Sequence, residues 1–353
     1  MRVAPSFGAA CAAVVLIALV AVLATLTKRN SQAEVPSQSK MTADQISVRL
    51  SGPFGPSFAG EMVALGAGLF LREGLSVTLR PGNDDTDSLN RVVAGEDTFG
   101  VAGASPFLTM RAKGEPVVAF AAGFLKTTVV FYALERSGIR TPFDFVGRHI
   151  GYQPGQDTAI IYRAIMDRLQ ISRSKVQEIP VPVDVSPLLD GRVEVLPGHV
   201  GVEAYSLTSK GISYQVVSPP DYGLHVPGTV YFTTERTIRD HPDIVRRFLR
   251  AVIAGWELTY SDEQRSIPMI VAYDTAALSL DMVHFQLEHQ RDGLRPYGTR
   301  FGEFDDSQWR LLQAILIQQG QIKDPINLTS AVATAFLRDV YRIRSPGLVV
   351  KDE

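Results

Sequence analysis

The chain has 353 residues, a formal net charge of -2, 45% hydrophobic residues and 20% charged residues. That is ordinary for a soluble globular protein, and the length suffices for two core-bearing lobes. Near-neutral charge without a basic stripe removes the electrostatic term of nucleic-acid binding. The single cysteine, Cys11, leaves the mature chain no disulfide and no thiol chemistry.

Arg2 precedes an apolar run from Phe7 to Leu26, which Lys28, Arg29 and Asn30 close. Residues 1–33 read as a secretory signal, with Ser31-Gln32-Ala33 as a small-x-small cleavage site. The alternative is an uncleaved anchor, since about 20 apolar residues span a bilayer. No apolar run precedes Cys11, so a lipoprotein box is not expected. Residues 34–44 read as a flexible lead-in. Ile46, Val48 and Leu50 then alternate as a half-buried strand should. Gly52, Pro53, Gly55 and Pro56 break the chain. Apolar spacing through Met62, Leu65, Leu69 and Phe70 predicts one helix over 58–72. Gly74 ends it, and Leu75, Val77 and Leu79 predict the next strand. A Gly/Pro-rich loop between a strand end and a helix is where α/β proteins hold small ligands.

Further on, a helix is expected over 86–94, a strand over 98–102, a helix over 106–113 and a strand over 117–122. A strand over 127–134 crosses into a second lobe. That lobe holds strands over 149–152, 176–180, 192–196 and 213–217, and helices over 158–169 and 202–210. The sequence PPDYG, from Pro219, marks a second crossing. The chain returns near Thr229–Thr233 and ends in a helical tail from about 241 to 343. Strands alternating with helices predict α/β with mostly parallel sheets.

These segments resemble the periplasmic binding proteins of ABC importers, in the branch that binds sulfonates and thiamin-pyrimidine precursors. Phe54, Ala64, Gly68, Phe70, Glu73, Gly74, Leu75 and Val77 stand where that family carries its opening pattern. The likeness continues through Ala94–Gly103, Arg111–Ala122, Ser137–Tyr152 and His241–Thr259, and covers nearly all of the chain after about residue 45. It implies a type II two-lobe fold, each lobe a mostly parallel sheet flanked by helices. Residues 45–127 and 228–353 form one lobe, 128–227 the other, and the ligand cleft lies between them. It further implies an exported monomer that binds a small solute, hinges closed and docks on permease and ATPase subunits, with no cofactor. Two crossings suit such a hinge. An anchored periplasmic sensor domain is the alternative outside transport.

Several loop residues are candidates for the cleft. Tyr152, Gln153, Gln156, Asp157 and Thr158 lie where a strand opens into a helix, with Asp157 or Thr158 placed to cap it. Backbone N–H groups there favour an acceptor-rich ligand, and the resemblance turns this loop toward the cleft. Ser105, in Gly103-Ala104-Ser105-Pro106, is placed to donate to a ligand or to cap its helix. Phe54, Phe58, Phe124, Tyr152 and Tyr222 sit at loops or element ends. They either belong to the core or sandwich a planar ligand. Glu203, at a helix start, either complements the helix dipole or, as the resemblance implies, accepts hydrogen bonds from an aminopyrimidine. Phe58 stands where many family members carry histidine, which points to shifted specificity.

The histidines show no metal-ligand spacing, and no nucleophile elbow or Ser/His/Asp order stands out. One enzyme shares the family's fold, the yeast-type thiamin pyrimidine synthase, which consumes a histidine and a cofactor-bearing lysine of its own. Ala102 and Pro106 stand where the lysine and histidine would be, and no cysteine-rich run lies near Tyr222. The resemblance therefore implies a binding protein and no catalysis.

Overall fold

The computed structural model describes residues 43–154 and 156–344. The leader reading of residues 1–33, most of the lead-in and Gly155 lie outside the described residues. Among those described, no helix is long and apolar enough to cross a membrane.

Ile46 and Val48 turn one face of β1 (Asp44–Arg49) into the core. β1 pairs in parallel with β2 (Leu75–Arg80) and β3 (Phe99–Gly103). β10 (Thr229–Thr234) lies antiparallel between β3 and β4 (Val117–Ala122), so the order is β2-β1-β3-β10-β4. In a second, three-stranded sheet, β5 (Val129–Leu134) lies between β8 (Leu196–His199) and β9 (Tyr214–Val217) and runs antiparallel to both. β6 (His149–Tyr152) pairs in parallel with β7 (Gln177–Pro180) beside them.

The α/β class matches the sequence reading. The antiparallel strands are the two that follow a crossing between sheets, β5 after residues 123–128 and β10 after 218–228. A strand arriving from the neighbouring sheet enters at the edge its neighbours leave, so it runs against them. Two local expectations shift. The single helix over 58–72 is a 3-10 turn (Pro56–Phe58), then α1 (Ala59–Gly66), then α2 (Leu69–Arg72). Gly68 takes a left-handed conformation, φ 69°, and separates the two helices. The strand expected over 192–196 forms later, as β8. Within that stretch Val195 makes an isolated bridge to Ile150, and Glu194 turns its carboxylate to the His149 N–H, 2.8 Å away.

The largest packing contact joins α1 to the long helix α7 (Pro242–Ser261). A Cβ at Gly255 would lie 2.0 Å from the Gly60 carbonyl oxygen, and one at Gly60 would enter the Trp256 ring. Two glycines therefore set how closely these helices approach. Behind them Phe99 and Phe70 stack on Phe248, with ring centroids at 4.4 and 5.5 Å.

Glu61, on the first turn of α1, is fully buried in this packing. Neither carboxylate oxygen makes a hydrogen bond of good geometry, although the Tyr231 hydroxyl faces it and accepts from Trp256 Nε1 at 3.0 Å. Loss of hydration pushes the carboxyl up to about 7 from 4.5. The fold therefore holds this proton more tightly than the unfolded chain does. The corresponding stability is complete below pH 4.5 and is lost as pH rises through about 7. Glu61→Gln, neutral at every pH, should be more stable than the parent at pH 8 by up to about 3 kcal/mol, at roughly 1.4 kcal/mol per pKa unit. Urea unfolding at pH 4.5 and pH 8 measures this. A difference that does not grow with pH would show that Glu61 carries no buried proton.

Candidate functional site

Two helix starts that follow strand ends of different sheets bring candidates together. α4 (Ala104–Ala112) follows β3 directly, and α5 (Asp157–Arg168) follows β6 after a short loop. Their first turns meet across the gap between the sheets. Ser105 Oγ donates to Asp157 Oδ1 at 2.6 Å. A third helix start, α3 (Asp85–Val93), brings in Asp85, which accepts from the Gly103 N–H at 2.7 Å and faces Ser51. Asp85 and Asp157 are half-buried. Lost hydration pushes Asp157 up to about 6. The Ser105 bond opposes that rise, and the Asp85 charge adds to it. Asp85 is raised too, first by burial, against the Gly103 and Ser51 bonds that favour its charge.

The loop entering α5 is not capped as expected. Gln156 holds the cap position, is exposed, and makes no side-chain cap bond. Asp157 lies one residue inside the helix and is turned to Ser105. Thr158 Oγ1 donates to Gln153 Oε1 at 2.8 Å, and Gln153 Nε2 donates to the Pro182 carbonyl at 3.1 Å. These two buried side chains shape the loop for one another.

Glu203 stands on the first turn of α6 (Val202–Thr208) and is buried, not an exposed partner of the dipole. Its Oε2 accepts from the His199 N–H at 2.8 Å, and a Cβ at Gly198 would lie 2.4 Å from its Cδ. Tyr132 donates to the His199 carbonyl at 2.9 Å, and Thr128 Oγ1 meets His199 Nδ1 at 3.0 Å. Glu203 therefore clamps the turn after β8, and burial pushes it up to about 7.

The aromatic candidates divide. Phe54 packs on Tyr273 at 4.9 Å, while Phe58 and Phe124 belong to the core around α1 and α7, Phe124 edge-on to Trp256. Tyr152 packs on Tyr162 beneath the Arg173 guanidinium. Arg168, at the far end of α5, donates to the Tyr222 carbonyl at 2.7 Å. That helix end lies about 16 Å along the axis from Asp157, so Tyr222 is not brought to the Ser105–Asp157 contact. None of the candidates lines the groove of about 470 Å³ beside the crossings, which Leu125, Pro227, Phe304 and Trp309 help to form. Among the described residues, no three His, Cys, Asp or Glu side chains gather as metal ligands.

Sequence reasoning missed Asp85 and Ser51. The signal was present in Asn83-Asp84-Asp85-Thr86-Asp87, an acid-rich stretch between a strand and a helix, with the same form as the loop before α5.

Truncating Glu203 tests its structural part. Glu203→Ala strands the His199 N–H and opens a hole against Gly198. It should lower stability by about 1–3 kcal/mol, the cost of an unsatisfied buried polar group. Glu203→Gln keeps an acceptor and should lose less than half of that. Equal losses in denaturant unfolding would show that charge, not the acceptor, holds the turn.

The comparisons agree with this architecture. A curated relative, the riboflavin-binding protein RibY of Chloroflexus aurantiacus, is 24% identical over 315 residues, 84% of this chain and 87% of that protein. The 4-amino-5-hydroxymethyl-2-methylpyrimidine phosphate synthase of Uromyces fabae is 23% identical over 239 residues, 64% of this chain and 70% of the enzyme. Among solved structures, the periplasmic aliphatic sulphonate binding protein SsuA of Escherichia coli superposes with a TM-score of 0.69 at 14% identity. That match covers 82% of this chain and 92% of SsuA. The fold is thus that of type II periplasmic binding proteins. The sequence profile of the NMT1/THI5-like family matches residues 55–266, and the chain belongs to that family.

Proposed function

We propose that this protein is the extracytoplasmic solute-binding component of an ABC importer. Residues 45–127 with 228–353 and residues 128–227 act as its two lobes, and permease and ATPase subunits are its partners. The observation that carries this reading is the Ser105–Asp157 bond. It joins helix starts at the carboxyl ends of strands from the two sheet systems, which two chain crossings connect. In α/β folds that is where small ligands bind, and two crossings supply a hinge. The solute lies between the loops that carry Phe54, Phe58, Ser105, Gln156 and Asp157, with Glu203 shaping the wall opposite. The relatives suggest its chemistry: a flavin, an aminopyrimidine or a sulfonate. An apolar leader over 1–33 suits export to the periplasm.

The synthase relative supports a second reading, catalysis on a pyrimidine. Against it stand Ala102, buried in β3, and Pro106, in the first turn of α4. Neither carries a reacting group.

A thermal-shift panel of riboflavin, 4-amino-5-hydroxymethyl-2-methylpyrimidine and ethanesulfonate tests the proposal. One class should stabilise the protein by about 2.7 kcal/mol at a hundredfold excess over its dissociation constant, and calorimetry should give one site per chain. No stabilisation by any of the three, together with pyrimidine product on incubation with pyridoxal phosphate and iron, would reverse the assignment.

A further inference from the structure

Closure of this cleft has an electrostatic cost built into it. Asp157 opens α5, on the side of the second sheet system, and Ser105 opens the helix after β3 in the first. Their 2.6 Å hydrogen bond exists only while the two sides are together. Asp85 is fixed beside them. The Gly103 N–H holds its Oδ1 at 2.7 Å, and a Cβ on Gly103 would lie 3.0 Å from its Oδ2. It cannot swing away when Asp157 arrives.

The surrounding charges do not relieve the pair. Asp84 and Asp87 lie next to Asp85 on the same helix start and are also acidic. Arg91, farther along α3, is paired with Asp87 and Glu96 at 2.7 and 2.6 Å. Arg49 and Arg80 are paired with Asp97, and Arg111 on α4 with Glu235. On α5 itself, Arg163 donates to its own Ala159 carbonyl at 3.2 Å. α8 (Asp306–Gln318) and the residue after it face α5 with amides: Gln318 donates to Asp167 and Gln319 to the Ile160 carbonyl.

We propose that Ser105, Asp157 and Asp85 form a proton-operated latch, in which closing the two lobes takes up one proton onto the Asp157–Asp85 carboxylate pair. The proposal rests on the solute-binding reading above. The physical chain is short. In the open protein Asp157 is hydrated and has an ordinary carboxyl affinity for protons. Closing removes water and brings Asp85 close, and both effects favour the protonated form. A neutral Asp157 still accepts from Ser105 through Oδ1. Because the closed form binds the proton more tightly, closure is favoured below the ordinary value of 3.8 and weakened as pH rises through about 6. The closed-to-open ratio should therefore fall by roughly a hundredfold from pH 4 to pH 7, about tenfold for each of two pKa units.

Small-angle scattering on the solute-free protein from pH 4 to pH 7.5 reads this directly. The radius should be smaller at acid pH and grow as pH rises between 3.8 and about 6. Asp157→Asn, which keeps the acceptor but cannot ionise, should stay compact across the range. Asp85→Asn leaves Asp157 in place and removes its repulsive neighbour, so it should weaken the dependence in part, lost hydration being the larger cause. Circular dichroism at each pH establishes that every variant is folded. A parent radius that is constant with pH, or an Asp157→Asn variant that keeps the parent's midpoint, would overturn the latch. The panel of riboflavin, aminopyrimidine and ethanesulfonate separates the two ideas. If a solute shrinks the protein while pH does not, the latch fails and the solute-binding reading stands. If pH shrinks it, no solute stabilises it and pyrimidine product forms on incubation with pyridoxal phosphate and iron, the latch stands and the solute-binding reading fails.

Discussion

The direction in which the chain re-enters each sheet governs the site. β5 and β10 follow the two crossings, and each runs antiparallel to the strands it joins. The helices that follow β3 and β6 begin against one another, with Ser105 on Asp157, and the helix after β2 begins beside them, with Asp85 on the Gly103 N–H. Ser105, Asp85, Asp157 and Glu203 are all within the first turn of a helix. Helix starts expose N–H groups and favour negative partners, and this protein places its own carboxylates at them.

Those carboxylates are held in unequal ways. Asp85 and Glu203 each accept a backbone N–H, a bond that favours the charged form and offsets part of the desolvation cost. Asp157 has a hydroxyl donor and an acidic neighbour. Glu61, deeper, has neither oxygen in a good hydrogen bond. All four are nevertheless pushed up, and in each of them lost hydration is the largest cause.

The curated relatives include one named for binding and one named for synthesis. A shared fold does not choose between them, because function resides in side chains placed on it. In this chain Ser105, Asp157 and Asp85 are gathered where β3 and β6 give way to helices.

Much of the architecture was legible in the sequence. Period-two alternation marked β1 and β2, because one sheet face must exclude water, while β4 and β5 are apolar throughout and buried on both faces. Gly/Pro-rich breaks marked the loops, and PPDYG marked the second crossing. Tertiary structure decided what local pattern does not encode. Gly68 split a helix whose apolar spacing was continuous, because its left-handed backbone cannot propagate an α-helix. β8 formed at Leu196–His199 because β5 offered its edge there. Asp157 was legible as a cap by its position, yet its partner, Ser105, lies 52 residues away. The partner of Glu203 is only four residues away, but its burial depends on how β8 packs. Periodicity and turn chemistry are local, so the sequence alone determined the elements and their order. Which carboxylate meets which donor, and how much water each retains, depends on long-range packing, and only the assembled sheets decided it.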